Sequence, residues 1–496
     1  MEGTTLHLPL LMMVPIIGML ILMLVPADKV RLIRQIAVAA SVVALAYAIY
    51  LAIGMNNPGV LNAEQFAYSF SHPLFAVGNS SILFSVGVDG LGMVMVLLTC
   101  LLFVVALIVS LNIENRVREY YAVFLMLEVG CIGVFSATDI FLFYIFWELI
   151  LIPMFIIIAV WGGRNRQYAS LKFILFTLGG SLFMLLGFIG YYVAGGSGDL
   201  THIRQIASGS QDLLFWLVFI GLAVKIPLFP FHTWLPDAHT EAPTAGSIVL
   251  AGILLKLGTY GFLRVLFPLF PSAANYYAPY IAVLGVVSIL YGAFLAMSQK
   301  DIKRMIASSS ISHMGFVVLA LSTLTAGGFA AGTLQMVNHG IITGGLFLLI
   351  GIIYDRTHLR GINDFGGLYR VMPFYYGIFL LFALASIGMP GLNGFVSEFL
   401  CLFSGFQTYF APMPLLMTAA VFGVFIGVIY MLGLVAKVFS GPAPEKWRML
   451  SDLDVRESVS ILPLCFLVVF LGIAPGVILK SIGLAMDLIA KRVASM

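Results

Sequence analysis

The chain has 496 residues, of which 61% are hydrophobic and 9% charged, and its mean hydropathy is +1.07. A soluble domain carries charge on about a quarter of its residues, so this balance excludes a soluble fold and defines an all-α polytopic membrane protein. A net charge of +3 is too small to point to nucleic acid as a partner. Cys100, Cys131, Cys401 and Cys465 lie singly in apolar runs, a pattern that supplies neither a disulfide framework nor a CxxC metal or iron–sulfur motif.

In chain order, the first apolar run, 6–25, follows Glu2 rather than a basic stretch and lacks a small-residue cleavage site, so it reads as a retained helix. Further runs long enough to span about 30 Å at 1.5 Å per residue lie at 32–53, 83–111, 120–137, 140–161, 170–194, 212–228, 244–267, 277–298, 302–322, 326–353, 371–407, 413–438 and 458–479. They make fourteen expected helices, with 371–407 long enough for a broken one, and Lys480–Met496 is short and amphipathic, as an interfacial segment is. Alternate loops divide the 25 basic residues unevenly, eighteen on one side and five on the other, with Lys225 and Lys256 left inside apolar runs. The excess marks the cytoplasmic side, so both termini are expected on the non-cytoplasmic face.

Two apolar runs are interrupted by helix-breaking residues, at Lys225–Ile226–Pro227 with Pro230 and Pro236 following, and across GMPGLNG, 388–394. The breaks fall in expected helices 7 and 12, the fourth place of a five-helix unit repeated once. Odd units alternate in orientation, so helices 4–8 (112–267) and 9–13 (268–440) are expected to be inverted repeats, after N-terminal helices 1–3 (1–111) and before helix 14 with the C-terminal segment (441–496).

The stretch 216–256 organises the chain, because a lysine at the centre of a spanning helix costs about 2.5 to 3.5 kcal/mol on insertion scales and normally faces a protein interior or a water-filled cavity. The ionisable set within the spanning runs is Glu148, Lys225, Lys256, His313, His339 and Glu398. Counted from the loop charges, Glu148, Lys256 and His313 lie near mid-membrane depth, so side-by-side helices would align these groups in the membrane plane. The set suits proton relay: moving a carboxylate towards a buried lysine changes its hold on its proton, and histidine passes a proton through either ring nitrogen. Ser308, Ser309, Ser310 and Ser312 beside His313 extend the candidate path. A purely structural alternative is an ion pair of Glu148 with Lys225 and packed, hydrogen-bonded histidines. Glu128, also inside an apolar run, is a candidate partner for a neighbouring subunit. His232, Asp237, His239 and Glu241 offer ligand atoms, but their spacing matches no zinc-protease pattern, and the prolines predict a loop that caps the broken helix or lines a proton entrance.

The runs TDIFLFYIFWELILIPMFIII, AVKIPLFPFHTWLPDAHTEAPTAGSIVLAGILLKLGTYGFLR, QKDIKRMIASSSISHMGF, QMVNHGIITGGLF and ASIGMPGLNGFVSEF strongly resemble the M-type (chain 4) antiporter-like subunit of respiratory complex I, the proton-translocating NADH:quinone oxidoreductase. The resemblance covers almost the whole chain. It implies fourteen transmembrane helices with inverted five-helix repeats, and proton pumping driven by quinone reduction in other subunits. By motif, Glu148 looks like the helix-5 partner of Lys225, Lys256 like the central relay lysine, His313 and His339 like later members of the axis, and Glu398 like the helix-12 residue of the exit half-channel. It also implies that FMN, iron–sulfur clusters and quinone reside in partner subunits, that L-type and N-type antiporter-like subunits and the lipid bilayer are this chain's neighbours, and that the membrane is the cell's inner (plasma) membrane. A subunit of a multi-subunit sodium/proton antiporter is the alternative that the same lysines and breaks allow.

Overall fold

The structure is a computed structural model that describes residues 5–55, 65–77 and 80–494. Among the described residues there are seventeen helices and one two-stranded hairpin. In order they are α1 (His7–Leu24), α2 (Val30–Gly54), β1 (Ala67–Val77), β2 (Ser80–Val88), α3 (Gly90–Val109), α4 (Val117–Ser136), α5 (Ile140–Trp161), α6 (Arg166–Val193) and α7 (Ser208–Lys225). There follow α8 (Trp234–Glu241), α9 (Thr244–Leu269), α10 (Pro271–Met297), α11 (Ile302–Ser322), α12 (Ala326–Thr357), α13 (Pro373–Ser386), α14 (Asn393–Tyr409), α15 (Pro414–Phe439), α16 (Val455–Ile473) and α17 (Gly476–Ala494).

Twelve of these helices are long and apolar enough to cross a membrane. The two remaining expected crossings are the ones the sequence marks as broken. The seventh run ends as a helix at Lys225, turns through Pro227 and Pro230, and resumes as the short α8. The twelfth is α13 and α14 with the interruption 387–392 between them. There Gly388 and Gly391 take φ of +74° and +93°, a region open to glycine at little cost, and Pro390 withholds a backbone donor.

A membrane offers backbone groups no water, so helix starts need their own acceptors. Asp89 accepts from Gly92 N at 2.9 Å to start α3, Asp139 from Phe141 N and Leu142 N to start α5, and Asp301 from Arg304 N at 3.0 Å to start α11. Asp454 and Glu457 form a reciprocal capping box on α16.

The chain forms two compact units. Unit 1 comprises Met1–Lys225, Ile253–Tyr277 and Lys480–Met496, and unit 2 comprises Ile226–Gly252 and Ala278–Leu479. In unit 1, α6 and α7 pack closely because Gly187 lies against Val218, and Gly221 against Met184 and the Gly180 carbonyl. Small residues at such a seam let helix backbones approach where no hydrophobic drive between helices exists. In unit 2, α11 and α12 are buried along their whole apolar windows, and a core of Ile289, Phe316, Leu319, Met417 and Ala420 packs α10, α11 and α15.

Two expectations are corrected. The run 83–111 is not helical from its start: 83–88 belongs to β2, paired antiparallel with β1 in the register Ala67↔Val88 and Phe70↔Val86, and the helix begins only after the Asp89 cap. The segment after Pro230 is not a loop throughout, since 234–241 is helical; Pro236 sits in the first turn of α8, where a missing N–H is no loss. The apolar face of the C-terminal helix, Ile482, Ala485, Met486, Ile489 and Val493, is buried within unit 1.

Candidate functional site

Unit 1 brings Glu148 and Lys225 together. Lys225 closes α7 and is 1% exposed. Its Nζ has no hydrogen-bond partner among the described residues; it stands 5.6 Å from the Trp147 ring and 5.5 Å from the Phe173 ring, within cation–π range. Glu148, the neighbour of Trp147 on α5, acts on the lysine charge through space, while its Oε1 is likewise buried without a hydrogen bond. One turn earlier, Tyr144 lies beside Glu148 and Ser181 of α6. Charge therefore couples this pair without the hydrogen bond that would lock it.

Lys256, wholly buried, lies on α9 between two π-helical stretches, Leu250–Leu254 and Phe262–Leu266. Such stretches recur at functional positions because they reset the register of side chains along a helix. One turn on, Gly261 abuts Leu222 and lets α9 lie close to α7. Glu128, the candidate partner for a neighbouring subunit, is 0% exposed; its Oε2 accepts from Ser41 Oγ of α2 at 2.5 Å, while its Oε1 is buried without a hydrogen-bond partner among the described residues. Sequence reading missed the buried pair of Arg264 and Asp89, 2.6 Å apart, because Arg264 had counted as a loop charge.

Unit 2 brings His313, His339 and Glu398 together. His313 Nδ1 and Glu398 Oε1 are 2.7 Å apart, joining α11 to α14, and both side chains are about nine-tenths buried. The His339 ring on α12 lies 5.6 Å from the His313 ring. His313 Nε2 is 3.4 Å from the Ser386 hydroxyl at the end of α13. The serines preceding His313 are otherwise engaged: Ser308, Ser309 and Ser310 donate to Arg304 O, Ile306 O and Ile306 O in their own helix. Sequence reading missed the neutral groups around Glu398. Gln335 Nε2 donates to Glu398 Oε1 at 3.3 Å, Ser397 Oγ donates to Gln335 Oε1, and Asn338 Nδ2 donates to Ser397 Oγ at 3.0 Å. The spacing of Gln335, Asn338 and His339, three and four residues apart on α12, was the available signal.

The 232–241 ligand candidates are drawn to separate neighbours. His232 lies against Tyr291, Asp237 pairs with Arg304 at 2.8 Å, and His239 stacks on Phe347. Cations also hold the end of α8: Arg360 Nη1 donates to Thr240 O and Lys303 Nζ to Ala242 O, where the last carbonyls of a helix lack partners. Arg360 is in turn paired with Asp301, 3.3 Å away.

Interrupted helices, buried lysines and a buried His–Glu pair define a polytopic membrane protein of antiporter-like architecture. The family model described as NADH:quinone oxidoreductase/Mrp antiporter, TM, matches residues 137–427, and the chain belongs to that family. It is 42% identical over 469 residues to NADH-quinone oxidoreductase subunit M of Rickettsia conorii, covering 93% of each chain. To the subunit M of Rhodobacter capsulatus it is 39% identical, covering 91% of this chain and 89% of that one. Among solved structures it is similar to a chain of respiratory complex I from Thermus thermophilus, with a TM-score of 0.88 and 28% identity over 98% of this chain and all of that one. A chain of the Mrp complex from Dietzia has the same fold, with a TM-score of 0.82 at 20% identity.

Proposed function

We propose that this chain is the M-type membrane subunit of a respiratory NADH:quinone oxidoreductase and carries protons across the membrane along Glu148, Lys225, Lys256, His313, His339 and Glu398. Quinone reduction elsewhere in the complex drives the transfer. Protons load Lys256 from the cytoplasm by way of Lys225 and the break after it, and leave through His313, His339 and Glu398. FMN, iron–sulfur clusters and quinone belong to partner subunits, and L-type and N-type subunits flank this one in the plasma membrane, with both termini outside the cytoplasm. Expected helices 4–8 and 9–13 act as inverted halves, one for entry and one for exit.

The observation that carries this reading is Lys225. A lysine held only for structure would be locked in a hydrogen-bonded ion pair, because an unpaired buried charge is costly. Here the ammonium faces two aromatic rings and senses Glu148 through space, so a small approach or retreat of the carboxylate changes how firmly the proton is held. In unit 2 the donor–acceptor distance of 2.7 Å between His313 and Glu398 is short enough for direct proton transfer.

The test is Lys225→Ala or Glu148→Ala in the assembled complex, reconstituted in vesicles. Proton translocation is expected to fall by about tenfold or more, the usual contribution of a positioned proton-transfer group being about 10². Full translocation alongside normal quinone reductase activity in either variant would overturn the reading.

A further inference from the structure

The side chains that surround Glu398 form a directional chain, and its direction is set by chemistry. A carboxylate only accepts hydrogen bonds, so the group facing Glu398 Oε1 must donate. His313 supplies one donor at 2.7 Å and the Gln335 amide nitrogen a second at 3.3 Å. With its nitrogen committed to Glu398, Gln335 presents its carbonyl to Ser397, and the Ser397 hydroxyl donates to it. Ser397 Oγ then accepts from Asn338 Nδ2, which also donates to Asn393 O at 2.8 Å, the first residue after the break between α13 and α14.

Each link has an alternative partner already in place. A protonated Glu398 is itself a donor and is better met by the Gln335 carbonyl than by its N–H groups. Rotation of the amide by half a turn makes that exchange without displacing the side chain, and it turns the amide N–H towards Ser397. The Ser397 hydroxyl, no longer called on as a donor by Gln335, has the carbonyls of Asn393 and Gly394 at 3.1 and 3.3 Å. Those two carbonyls belong to the first turn of α14, at the edge of the interruption. Gln335, Ser397, Asn338 and Asn393 are all buried, at 0 to 2% exposure, so water does not compete for these bonds.

We propose that Gln335 is a positioning residue whose amide reads whether Glu398 carries a proton and passes that state through Ser397 to the first turn after the break. The arrangement rests on the proton axis proposed above, and it supplies what a fixed row of acids and bases lacks. Arrival or departure of one proton at Glu398 becomes a change in the hydrogen bonds that hold an interrupted helix. No covalent bond other than that of the migrating proton forms or breaks.

The experiment uses the assembled complex carrying Gln335→Met, Ser397→Ala or Glu398→Gln. Two quantities are read: protons translocated per NADH oxidised, and the carboxyl stretching band in redox-triggered infrared difference spectra, assigned to Glu398 by its loss in Glu398→Gln. Gln335→Met keeps the volume but neither donates nor accepts at the amide position. It is expected to shift the Glu398 band and lower translocation by about tenfold, the factor for one hydrogen bond to a charged group. Ser397→Ala removes a single oxygen and leaves the amide without its orienting donor, so a smaller shift of the same sign is expected. The double variant is expected to be no worse than Gln335→Met, since both act on one chain. An unmoved band and unchanged translocation in Gln335→Met, or in Ser397→Ala should the first variant fail to assemble, overturns this inference alone. A Glu398→Gln complex that pumps fully overturns the axis itself.

Discussion

Burial acts on single residues in two directions here, and Asp139 shows the one outside the spanning helices. Its carboxylate accepts two backbone N–H groups at the start of α5, which favours the charged form. Yet burial outweighs them and, with Asp199 nearby, pushes it up to about 6. The folded chain thus holds this proton more tightly than the unfolded chain does. The stability it contributes is fully present below the ordinary carboxylate range, near pH 4, and is lost as pH rises through about 6. Asp139→Asn keeps the capping acceptor and removes the charge. Its melting temperature relative to the parent protein is therefore expected to rise progressively from about pH 4 to pH 7, and thermal scans across that range check it. The ionisable members of the candidate axis were legible in the sequence because a charge inside an apolar run is conspicuous. Gln335, Ser397 and Asn338 were not, since a neutral polar residue in a buried helix is costly only without a partner, and the partner is known only once α12 and α14 are packed.

At the scale of elements, the two breaks were legible because proline and glycine act locally, whatever the tertiary structure around them. The hairpin was hidden because Leu83, Phe84, Val86 and Val88 stand directly before the apolar run of α3, with Ser85 and Asp89 as the only polar residues between, so composition alone merges them. What fastens α8 was also hidden, as Lys303, Arg304 and Arg360 count in sequence only as cytoplasmic charge. In the structure they reach Ala242 O, Asp237 and Thr240 O, and Lys303 and Arg304 open the helix that carries His313 about 15 Å further along. Lys303→Met is therefore expected to loosen α8 while the complex still assembles. Amides of 234–242 should exchange hydrogen about tenfold faster, for the loss of a hydrogen bond worth about 1.5 to 3 kcal/mol, and Lys303→Arg should restore protection. Equal exchange in the Met variant and the parent would show that the clamp is idle.

Over the whole molecule, the sequence announces fourteen crossings and their breaks, while the grouping of those crossings into units depends on packing alone. Unit 1 takes its last piece from Lys480–Met496. There Asn275 donates to Val493 O at 3.0 Å, Arg492 donates to Leu200 O, and Gly90 lies against the Ser481 backbone. Asp89, Arg264, Lys480, Arg492, Met93 and Leu488 line a cavity of about 570 Å³ at this seam. A chain shortened after residue 479 is expected to reach the membrane but to accumulate several-fold less than the full chain, as measured by membrane immunoblot. It would leave these partners unmet, at about 1 to 3 kcal/mol for each buried polar group.

That closure also bears on synthesis. About 200 residues of unit 2, Ala278–Leu479, intervene between Tyr277 and Lys480, at roughly 5 to 20 residues per second. The unit that holds Glu148, Lys225 and Lys256 therefore waits about ten seconds or longer for the strip that Lys480–Met496 supplies. During that interval the Asp89–Arg264 seam lies open to whatever insertion or quality-control machinery surveys the nascent chain. Closure of unit 1 by Lys480–Met496 thereby ties its completion to the synthesis of unit 2.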